Sequence, residues 1–250
     1  MIQEEAGIIR LKTVNSTNTR LCSLGRDGAP AWTVCTAEEQ TSGRGRLDRV
    51  WHSPAGQGLW MSILLRPALP IAETGLLSFC AALAVSDALK TAARVDTAVK
   101  WPNDLVCGSR KICGILSTNC MMPDGSYFSV IGVGINLTKD AYPDELKDRA
   151  TSVEEENGTP DREEMIRLFR ERLRYYSGLL ETGRRAELIA MTSARCVTLG
   201  KKVQVTGAVE TAGTAEAIGS DGELILLTEN GKRETVLCGD VSVRGVMGYV

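Results

Sequence analysis

The stretch from Glu73 to Arg94 is almost continuously apolar and rich in alanine, with leucines at positions 76, 77, 83 and 89. It is too long for a strand, and alanine and leucine are strong helix formers. We therefore predict a helix buried at the centre of the fold. No run in the chain approaches the roughly 20 apolar residues of a membrane span, so a membrane protein is not expected.

Apolar runs on both sides of this stretch predict strands, with the bounds 7–14, 31–38, 58–66 and 127–136. A further run is interrupted by Gly108-Ser109, a pair that suits a tight hairpin turn. A hairpin at this point would bring Asp104 and Lys111 close together on adjoining strands. We leave open whether they form a surface ion pair or a partly buried pair that binds a ligand.

The second half of the chain begins with helices and ends with short strands. An amphipathic helix is predicted from Thr159, as N-cap, and Pro160, as first helical residue, to about Glu181. A short helix, residues 186–193, follows it. From about Arg195 the predicted strands are short and separated by turns, with the bounds 201–206, 214–218, 223–227 and 234–237. We predict two domains, residues 1–194 and a small β-barrel of residues 195–250.

Charge and cysteine usage exclude several classes of protein. A net charge of −2 is not the basic footprint of a general nucleic-acid binder, so any anion site must be local. The eight cysteines stand singly, and His52 is the only histidine that could join them as a metal ligand. This spacing fits neither a zinc site nor a disulfide framework, so most cysteines are expected to be core residues. The N-terminus lacks a signal peptide, which predicts a cytoplasmic protein.

The polar segment between two predicted strands, Gln40 to Trp51, is the first candidate site. It reads Q-T-S-G-R-G-R-L-D-R-V-W, with two glycines and three arginines within seven residues. Glycine lets the backbone approach a ligand closely, and arginine presents a planar fork to carboxylate or phosphate. The alternative is a solvated basic loop. A dinucleotide fingerprint is not favoured, because the third glycine and a following helix are both missing.

Two other stretches are candidate ligand contacts, one with polar residues after a predicted strand and one with glycines within a buried strand. Asn15-Ser16-Thr17-Asn18 follows the first predicted strand, where it would either cap a helix or hold a small polar ligand. Gly132 and Gly134 interrupt a buried strand, which often marks a place where a ligand or another backbone comes close. Asn136 gives the same strand a polar end.

Five stretches in this order and spacing resemble the biotin protein ligase family, the biotin–[acetyl-CoA-carboxylase] ligases. They are Ser16-Thr17-Asn18, the G-R-G-R-x-x-R loop within 40–49, K-W-P-N-D-L at 100–105, K-x-x-G-I-L at 111–116 and G-x-G-I-N from Gly132. The resemblance covers nearly the whole chain. It implies an α+β fold, with a central mixed β-sheet flanked by helices, related to class II synthetases, and a C-terminal SH3-like β-barrel.

The resemblance also implies a reaction in two steps. Biotin and ATP, with Mg²⁺, would form biotinyl-5′-AMP and pyrophosphate, and a lysine of a biotin carboxyl carrier protein would then take the biotinyl group. The first step joins two anions, so its transition state needs concentrated positive charge. A dedicated protein site for Mg²⁺ is not implied, and the ion would come with ATP, near Asp104.

The roles of individual residues follow from the same resemblance. Lys111 would bridge the biotin carboxylate and the α-phosphate, and Arg46, Arg49 and Asp104 complete the catalytic set. Biotin contacts are implied for Ser16, Thr17, Asn18, Gln40, Arg44, Gly45, Arg46, Lys111, Gly114, Leu116, Gly132 and Gly134. Nucleotide contacts are implied for Arg46, Arg49, Trp51, Lys100, Asn103, Lys111 and Asn136. Asp104 would orient Lys111, help hold the metal or accept a proton, and Trp51 would stack on adenine or pack beneath the loop.

The chain departs from some members of the family in two places. Leu47-Asp48 stands where some members have arginine and glycine, which bears on loop flexibility and on retention of the intermediate. Only about seven residues precede the first predicted strand, too few for a helix-turn-helix domain, so a short form without a DNA-binding role is expected. The alternatives are a lipoate-type ligase on the same scaffold and a non-catalytic biotin-binding module. Monomer and homodimer both stay open.

Overall fold

The computed structural model describes residues 7–238 and 241–245. Its larger β-sheet has seven strands in the order β1-β2-β3-β7-β6-β5-β4. β1 and β2 are parallel and the other neighbours are antiparallel, which confirms the predicted mixed sheet. The strands are β1 Ile8–Val14, β2 Val34–Gln40, β3 Gly58–Leu65, β4 Ala98–Lys100, β5 Asp104–Cys107, β6 Arg110–Met121 and β7 Tyr127–Asn136.

The predicted central helix is present, with α2, Leu77–Ala88, as its α-helical part. A 3-10 segment, Ile71–Leu76, precedes α2, and a π-helical turn, Leu89–Ala93, follows it. By length and composition the whole segment could cross a membrane, so the expectation that no run approaches that length is wrong. Because every residue of α2 except Asp87 is buried within the fold, we assign it as a core helix.

The described residues also form three other α-helices: α1 Thr17–Arg26, α3 Arg162–Glu181 and α4 Arg185–Ala194. The N-cap predicted for α3 is wrong. Asp161 caps the helix and accepts a hydrogen bond from the Glu164 N–H at 3.0 Å. Thr159 instead donates its own N–H to the carbonyl of Ala93, which holds it outside the helix at the end of the central segment.

Both faces of the larger sheet are buried. Successive side chains of a strand point to opposite faces, so one strand can contribute to two clusters. On β3, Met61, Ile63 and Leu65 belong to the main core, which also contains α2 and α3 residues. Leu64 points the other way, into a smaller cluster with Leu21 of α1. The continuous apolar run of β3 is therefore the signature of a strand buried on both faces.

Two cysteines in the smaller cluster correct the sequence prediction. Cys22 of α1 and Cys120 of β6 form a disulfide between residues separated by 98 positions. No spacing in the sequence pairs these two cysteines, and a disulfide framework was not expected. Four of the other cysteines, Cys35, Cys80, Cys113 and Cys196, are buried core residues, as predicted.

The C-terminal part forms a second sheet of five antiparallel strands, in the order β11-β10-β9-β8-β12. Its strands are β8 Lys202–Gly207, β9 Thr211–Ile218, β10 Leu224–Leu227, β11 Arg233–Val236 and β12 Val241–Gly245. The predicted small β-barrel is an open sheet, because β11 and β12 stand at opposite ends of the order and do not pair within the described strands. β12 was not predicted, and it pairs with β8 at one end of this sheet.

The two sheets are joined directly through the segment that follows β4. Trp101 is fully buried, and its indole Nε1 donates to the carbonyl of Gly222 at 2.9 Å. The Trp101 N–H donates to Thr198 Oγ1 at 3.0 Å. Because Lys100 precedes this tryptophan, the contacts fix the C-terminal sheet beside a residue of the predicted site.

Candidate active site

A cavity of about 350 Å³ lies where α1 begins and where β5, β6 and β7 face the arginine loop, residues 40–51. Every residue assigned to the site from the sequence lines it. They are Ser16, Thr17, Asn18, Gln40, Arg44, Gly45, Arg46, Arg49, Trp51, Lys100, Asn103, Asp104, Lys111, Gly114, Leu116, Gly132, Gly134 and Asn136. Residues far apart in the sequence therefore meet in one place, although their individual roles stay predictions.

The floor of the cavity is a row of glycines across neighbouring strands. Gly114 of β6 pairs with Gly134 of β7, and Leu116 pairs with Gly132. A side chain at either β7 glycine would enter occupied space, because an added Cβ at Gly132 would collide with Asn18 and one at Gly134 with Trp51. The missing side chains create a hollow in an otherwise filled sheet.

The indole of Trp51 rests in this hollow. It contacts the faces of Gly114 and Gly134 and meets Trp60 edge-on, with 6.5 Å between ring centroids. The ammonium of Lys111 lies 4.9 Å from the ring centroid, within the range of a cation–π contact. Trp51 Nε1 is buried and has no hydrogen-bond partner among the described residues, so a donor faces the hollow.

A hydrogen-bonded chain fixes the start of α1 beside this floor. Gln40 Oε1 accepts from the Thr17 N–H at 2.8 Å and lies 3.0 Å from its hydroxyl. Ser62 Oγ lies 2.7 Å from Thr17 Oγ1 and 2.5 Å from Asn18 Oδ1, and Asn18 Nδ2 donates to the Leu116 carbonyl at 3.1 Å. Sequence reasoning missed Ser62, although it is a lone hydroxyl in an apolar strand.

Ser16 has the capping role that is one of its two interpretations. Its side chain accepts a hydrogen bond from the Thr19 N–H and begins α1. It also lines the cavity and is buried, so the capping and ligand-holding interpretations are compatible. The helix N-terminus contributes favourable partial charge toward a polar or anionic group.

Asp104 and Lys111 meet across the β5–β6 hairpin, as predicted. Lys111 Nζ lies 2.6 Å from Asp104 Oδ1, and the two side chains are 22% and 14% exposed. The pairing register shifts by one residue after Leu105, which leaves one extra residue on β6. A β-bulge of this kind redirects side chains and is common beside active sites. The pair lies inside the cavity, so the alternative of a surface ion pair is wrong.

Lys100 lies opposite Asp104 in the pairing of β4 with β5, and only 5% of the residue is exposed. Burial lowers the pKa of Lys100 to about 8. Asp104 opposes this effect, and the neighbouring cations Lys111, Arg244 and Arg49 reinforce it. Several positive groups thus surround one carboxylate, and this side of the cavity is suited to an anionic ligand.

The arginine loop folds back on itself. The Gly45 N–H donates to the Arg49 carbonyl at 2.7 Å, and the Trp51 N–H donates to the Gly43 carbonyl at 2.9 Å. Leu47 and Asp48 have φ values of 56° and 53°, in the left-handed region. A non-glycine residue there costs roughly 1–2 kcal/mol. The departure from the family pattern therefore puts Asp48, which carries a side chain, in a left-handed conformation where some members have glycine.

Two asparagines that were assigned to the nucleotide have protein partners. Asn103 Oδ1 accepts from Arg46 Nη1 at 3.1 Å, and its Nδ2 donates to the Ile115 carbonyl at 2.6 Å. Asn136 is 3% exposed, and its Nδ2 donates to the Thr151 carbonyl at 3.0 Å. Both residues line the cavity, and both also hold its walls in place.

The sequence did not predict one wall of the cavity. It consists of Tyr142, Leu146, Arg149 and Ala150 from the segment after β7, and of Val243 and Arg244 from β12. These residues carry no motif, and only the packing of the chain brings them to the site. Among the described residues, no group of three acidic, histidine or cysteine side chains is arranged to hold a metal ion.

Comparison with known proteins gives matches to both parts of the chain. Residues 11–136 match the biotin/lipoate A/B protein ligase family, and residues 198–244 match the biotin protein ligase C-terminal domain. Among solved structures, a biotin protein ligase from Aquifex aeolicus in complex with biotin and ATP matches with a TM-score of 0.83 and 30% identity. This match covers 96% of the present chain and 99% of that one.

Curated relatives agree with these matches. The chain is 34% identical over 236 residues to a biotin–[acetyl-CoA-carboxylase] ligase of Mycobacterium tuberculosis, covering 90% of this chain and 85% of the relative. It is 41% identical over 153 residues to a bifunctional ligase/repressor of Bacillus spizizenii, covering 60% of this chain and 47% of the relative. The aligned region thus spans about half the length of the Bacillus protein.

Proposed function

The chain belongs to the biotin protein ligase family, and we propose that it activates biotin with ATP and transfers the biotinyl group to a carrier-protein lysine. The observation that carries the proposal is the position of Lys111. Its ammonium group projects into the cavity, paired with Asp104 and close to the glycine floor. The arginine loop lines the same cavity.

In the first step, a carboxylate oxygen of biotin attacks the α-phosphorus of ATP, and the bond to the β-phosphate breaks. Attacking and attacked groups are both anionic, so the developing charge must be stabilised by preorganised cations. Lys111 is placed to bridge the two anions, with Arg46 and Arg49 lining the cavity beside it. Binding the anions would draw Lys111 away from Asp104, whose charge Lys100 then continues to balance.

In the second step, the neutral amine of the acceptor lysine attacks the acyl carbon, and the bond to AMP breaks. The amine must lose a proton on the way, and a carboxylate within hydrogen-bond reach can accept it. Asp104 is the acidic side chain that lines the cavity next to Lys111. We therefore assign it the proton-accepting role, in addition to orienting Lys111.

Biotin occupies the glycine floor in this proposal, and the nucleotide lies toward Lys100, Asn103 and the arginine loop. The hydrogen-bonded chain through Thr17, Asn18 and Gln40 supplies fixed polar groups for the biotin ring. Trp51 fills part of the hollow in the structure described here. Its ring must therefore shift when biotin enters, which supports a mobile loop that closes over the ligand.

Magnesium fits this site only as a companion of ATP. Mg²⁺ is commonly held by one or two carboxylates together with substrate phosphates. The described residues offer no cluster of three ligating side chains, and Asp104 already has a cationic neighbour on each side. When bound, the ion would supply further positive charge to the phosphates, while Lys111 and the arginines hold the reacting groups.

Biotin rather than lipoate is favoured by the second part of the chain, since residues 198–244 match the biotin protein ligase C-terminal domain. We place the domain boundary at 194/195, where α4 ends. A non-catalytic binding module would not need positive charge where the anionic substrates meet, yet Arg44, Arg46 and Lys111 line the cavity. The carrier protein is proposed as partner, and a cytoplasmic location stays a prediction.

ATP–pyrophosphate exchange that depends on biotin tests the first step. We expect exchange with biotin and little with lipoate. Lys111→Ala should abolish it, while Lys90→Ala, which removes an exposed ammonium paired with Asp96, should not. Exchange driven by lipoate but not biotin would assign the other substrate. Biotin binding without any exchange would indicate a non-catalytic module.

A further inference from the structure

We propose that Arg110 is a positioning residue that holds the unpredicted wall of the cavity against Lys111 and so sets the affinity for ATP. We define the wall segment as residues 141–156. Arg110 lines no part of the cavity and belongs to none of the motifs that mark the family. The proposal deepens the proposed function and rests on it.

The guanidinium of Arg110 holds the end of the wall segment through two adjacent carboxylates. Its Nη2 lies 2.8 Å from Glu156 Oε1, and its Nη1 lies 3.5 Å from Glu155 Oε1. All three side chains are a quarter to a third exposed, so water screens the contacts only partly. A planar fork shared between two carboxylates restricts both of them more than a single ammonium would.

Each carboxylate passes this restraint to a different part of the wall. The hydroxyl of Thr151, which is fully buried, donates to Glu156 Oε1 at 2.6 Å. The hydroxyl of Tyr142 donates to Glu155 Oε2, which also accepts from Ser152 Oγ. Tyr142 lines the cavity. Arg110 therefore anchors the near end of the wall through Thr151 and its far end through Tyr142.

The backbone of Lys111 is bonded to the same segment. The Lys111 N–H donates to the Arg149 carbonyl at 2.8 Å, and the Lys111 carbonyl accepts from the Thr151 N–H at 2.9 Å. Ala150 faces Lys111 in this short parallel pairing. Arg110 is the preceding residue on β6, so one stretch of chain provides the proposed catalytic ammonium and the clamp on its neighbouring wall.

Removing the guanidinium would leave two adjacent carboxylates without their shared cation. Their repulsion and the lost hydrogen bonds would loosen residues 149–156 and, through Glu155, the ring of Tyr142. The biotin floor consists of β6 and β7 glycines and the start of α1. The ion pairs of Arg110 within the described part of the chain go to Glu155 and Glu156 and to none of these floor residues. The consequence should therefore fall on ATP, with little effect on biotin.

The test measures initial rates of biotinyl-AMP formation and, separately, ATP binding by calorimetry for matched variants. Arg110→Ala should raise KM and Kd for ATP by about tenfold, as expected for a lost charged hydrogen bond, and change the KM for biotin less than about twofold. Arg110→Lys should recover part of the loss. Glu156→Gln should add little when combined with Arg110→Ala, because both changes break one clamp.

Arg195→Ala is the control for stability. Its guanidinium lies 2.7 Å from Asp87 and is 35% exposed, as Arg110 is, but the pair lies away from the wall. It should lower stability without changing KM for ATP. The proposal is overturned if Arg110→Ala binds ATP as tightly as the wild type, if both KM values rise equally, or if Arg195→Ala has the same effect.

The two readouts separate this proposal from the proposed function. A wild-type protein that binds ATP but forms no biotinyl-AMP would overturn the proposed function. The calorimetric comparison with Arg110→Ala would still show whether Arg110 sets the affinity for ATP. A wild-type protein that does not bind ATP would overturn both.

Discussion

Lys111 Nζ lies 2.6 Å from Asp104 Oδ1 inside the cavity, and a β-bulge between β5 and β6 brings the two side chains to the same place. The pair holds a cation at the glycine floor, where a carboxylate and a phosphate would have to meet. A carboxylate beside that cation balances its charge and orients it when no ligand is bound. The two residues can also separate, since Lys100 lies opposite Asp104 and a bound anion would balance the charge of Lys111.

Asp104→Asn preserves the shape of the side chain and removes its charge. We expect biotinyl-AMP formation to persist within a few-fold, while transfer to the carrier falls by about 10²-fold or more, because the proton acceptor is lost. Pyrophosphate exchange measures the first step, and single-turnover transfer from isolated biotinyl-AMP measures the second. An equal decrease in both steps would show that Asp104 acts only by orienting Lys111.

Lys100→Met tests the cost of a buried ammonium. The folded pKa of Lys100 is about 8, below the unfolded value near 10.4, so the unfolded chain binds more protons between these two pH values. In the wild type, burial of the charged ammonium lowers stability at pH values below 8, and this cost is relieved as pH rises to about 10.4. Its full size is about 3 kcal/mol.

The measurement is the free energy of unfolding by denaturant, compared at pH 7 and pH 10. Lys100→Met should remove about 2–3 kcal/mol of the rise with pH, while the exposed control Lys90→Met should follow the wild type. Parallel curves for Lys100→Met and the wild type would mean that Lys100 keeps an ordinary pKa. Proposed ATP contacts of Lys100 do not enter this comparison.

Gly132→Ala tests the glycine floor. The added Cβ would collide with the side-chain amide of Asn18, which is tied to Leu116 and Ser62 and cannot move freely. We expect biotin affinity to fall by more than about tenfold, since a displaced polar anchor costs roughly 1–3 kcal/mol, while ATP binding is retained. Calorimetric titration with each ligand measures both effects.

Gly178→Ala is the matched glycine control. Gly178 lies within α3, and an added Cβ would meet nothing within 4 Å. Alanine is the better helix former, so this variant should be as active as the wild type and up to about 1 kcal/mol more stable. Unchanged biotin affinity in Gly132→Ala would mean that biotin does not rest on this floor.

Local patterns were sufficient for much of the fold and of the site. The Asp104–Lys111 contact follows from a turn signal between two apolar runs, and the central helix follows from length and alanine content. Gly132 and Gly134 identified a close approach, because glycine has few other uses within a buried strand. The resemblance of five ordered motifs to one family predicted the remaining site residues, all of which line one cavity.

Features that depend on tertiary packing were missed. The wall residues Tyr142 and Arg149 lie in irregular structure. Arg149 is held at the cavity by a backbone bond to Lys111, and Tyr142 by the bond from its hydroxyl to Glu155. Cys22 and Cys120 are brought together only when α1 packs on the sheet. A run of short predicted strands does not show whether its two end strands pair. The sequence pattern therefore could not distinguish an open sheet from a barrel.

We propose that Lys111 acts in an ATP-dependent transfer of biotin to a carrier lysine. The most direct measurement is biotin transfer to a purified biotin carboxyl carrier domain by the wild type and by Lys111→Ala. The assay temperature is one at which both proteins are folded. We predict ATP-dependent labelling by the wild type and its loss in the variant. Labelling that survives the substitution would shift the catalytic charge to the arginine loop, and no labelling by the wild type would contradict the account.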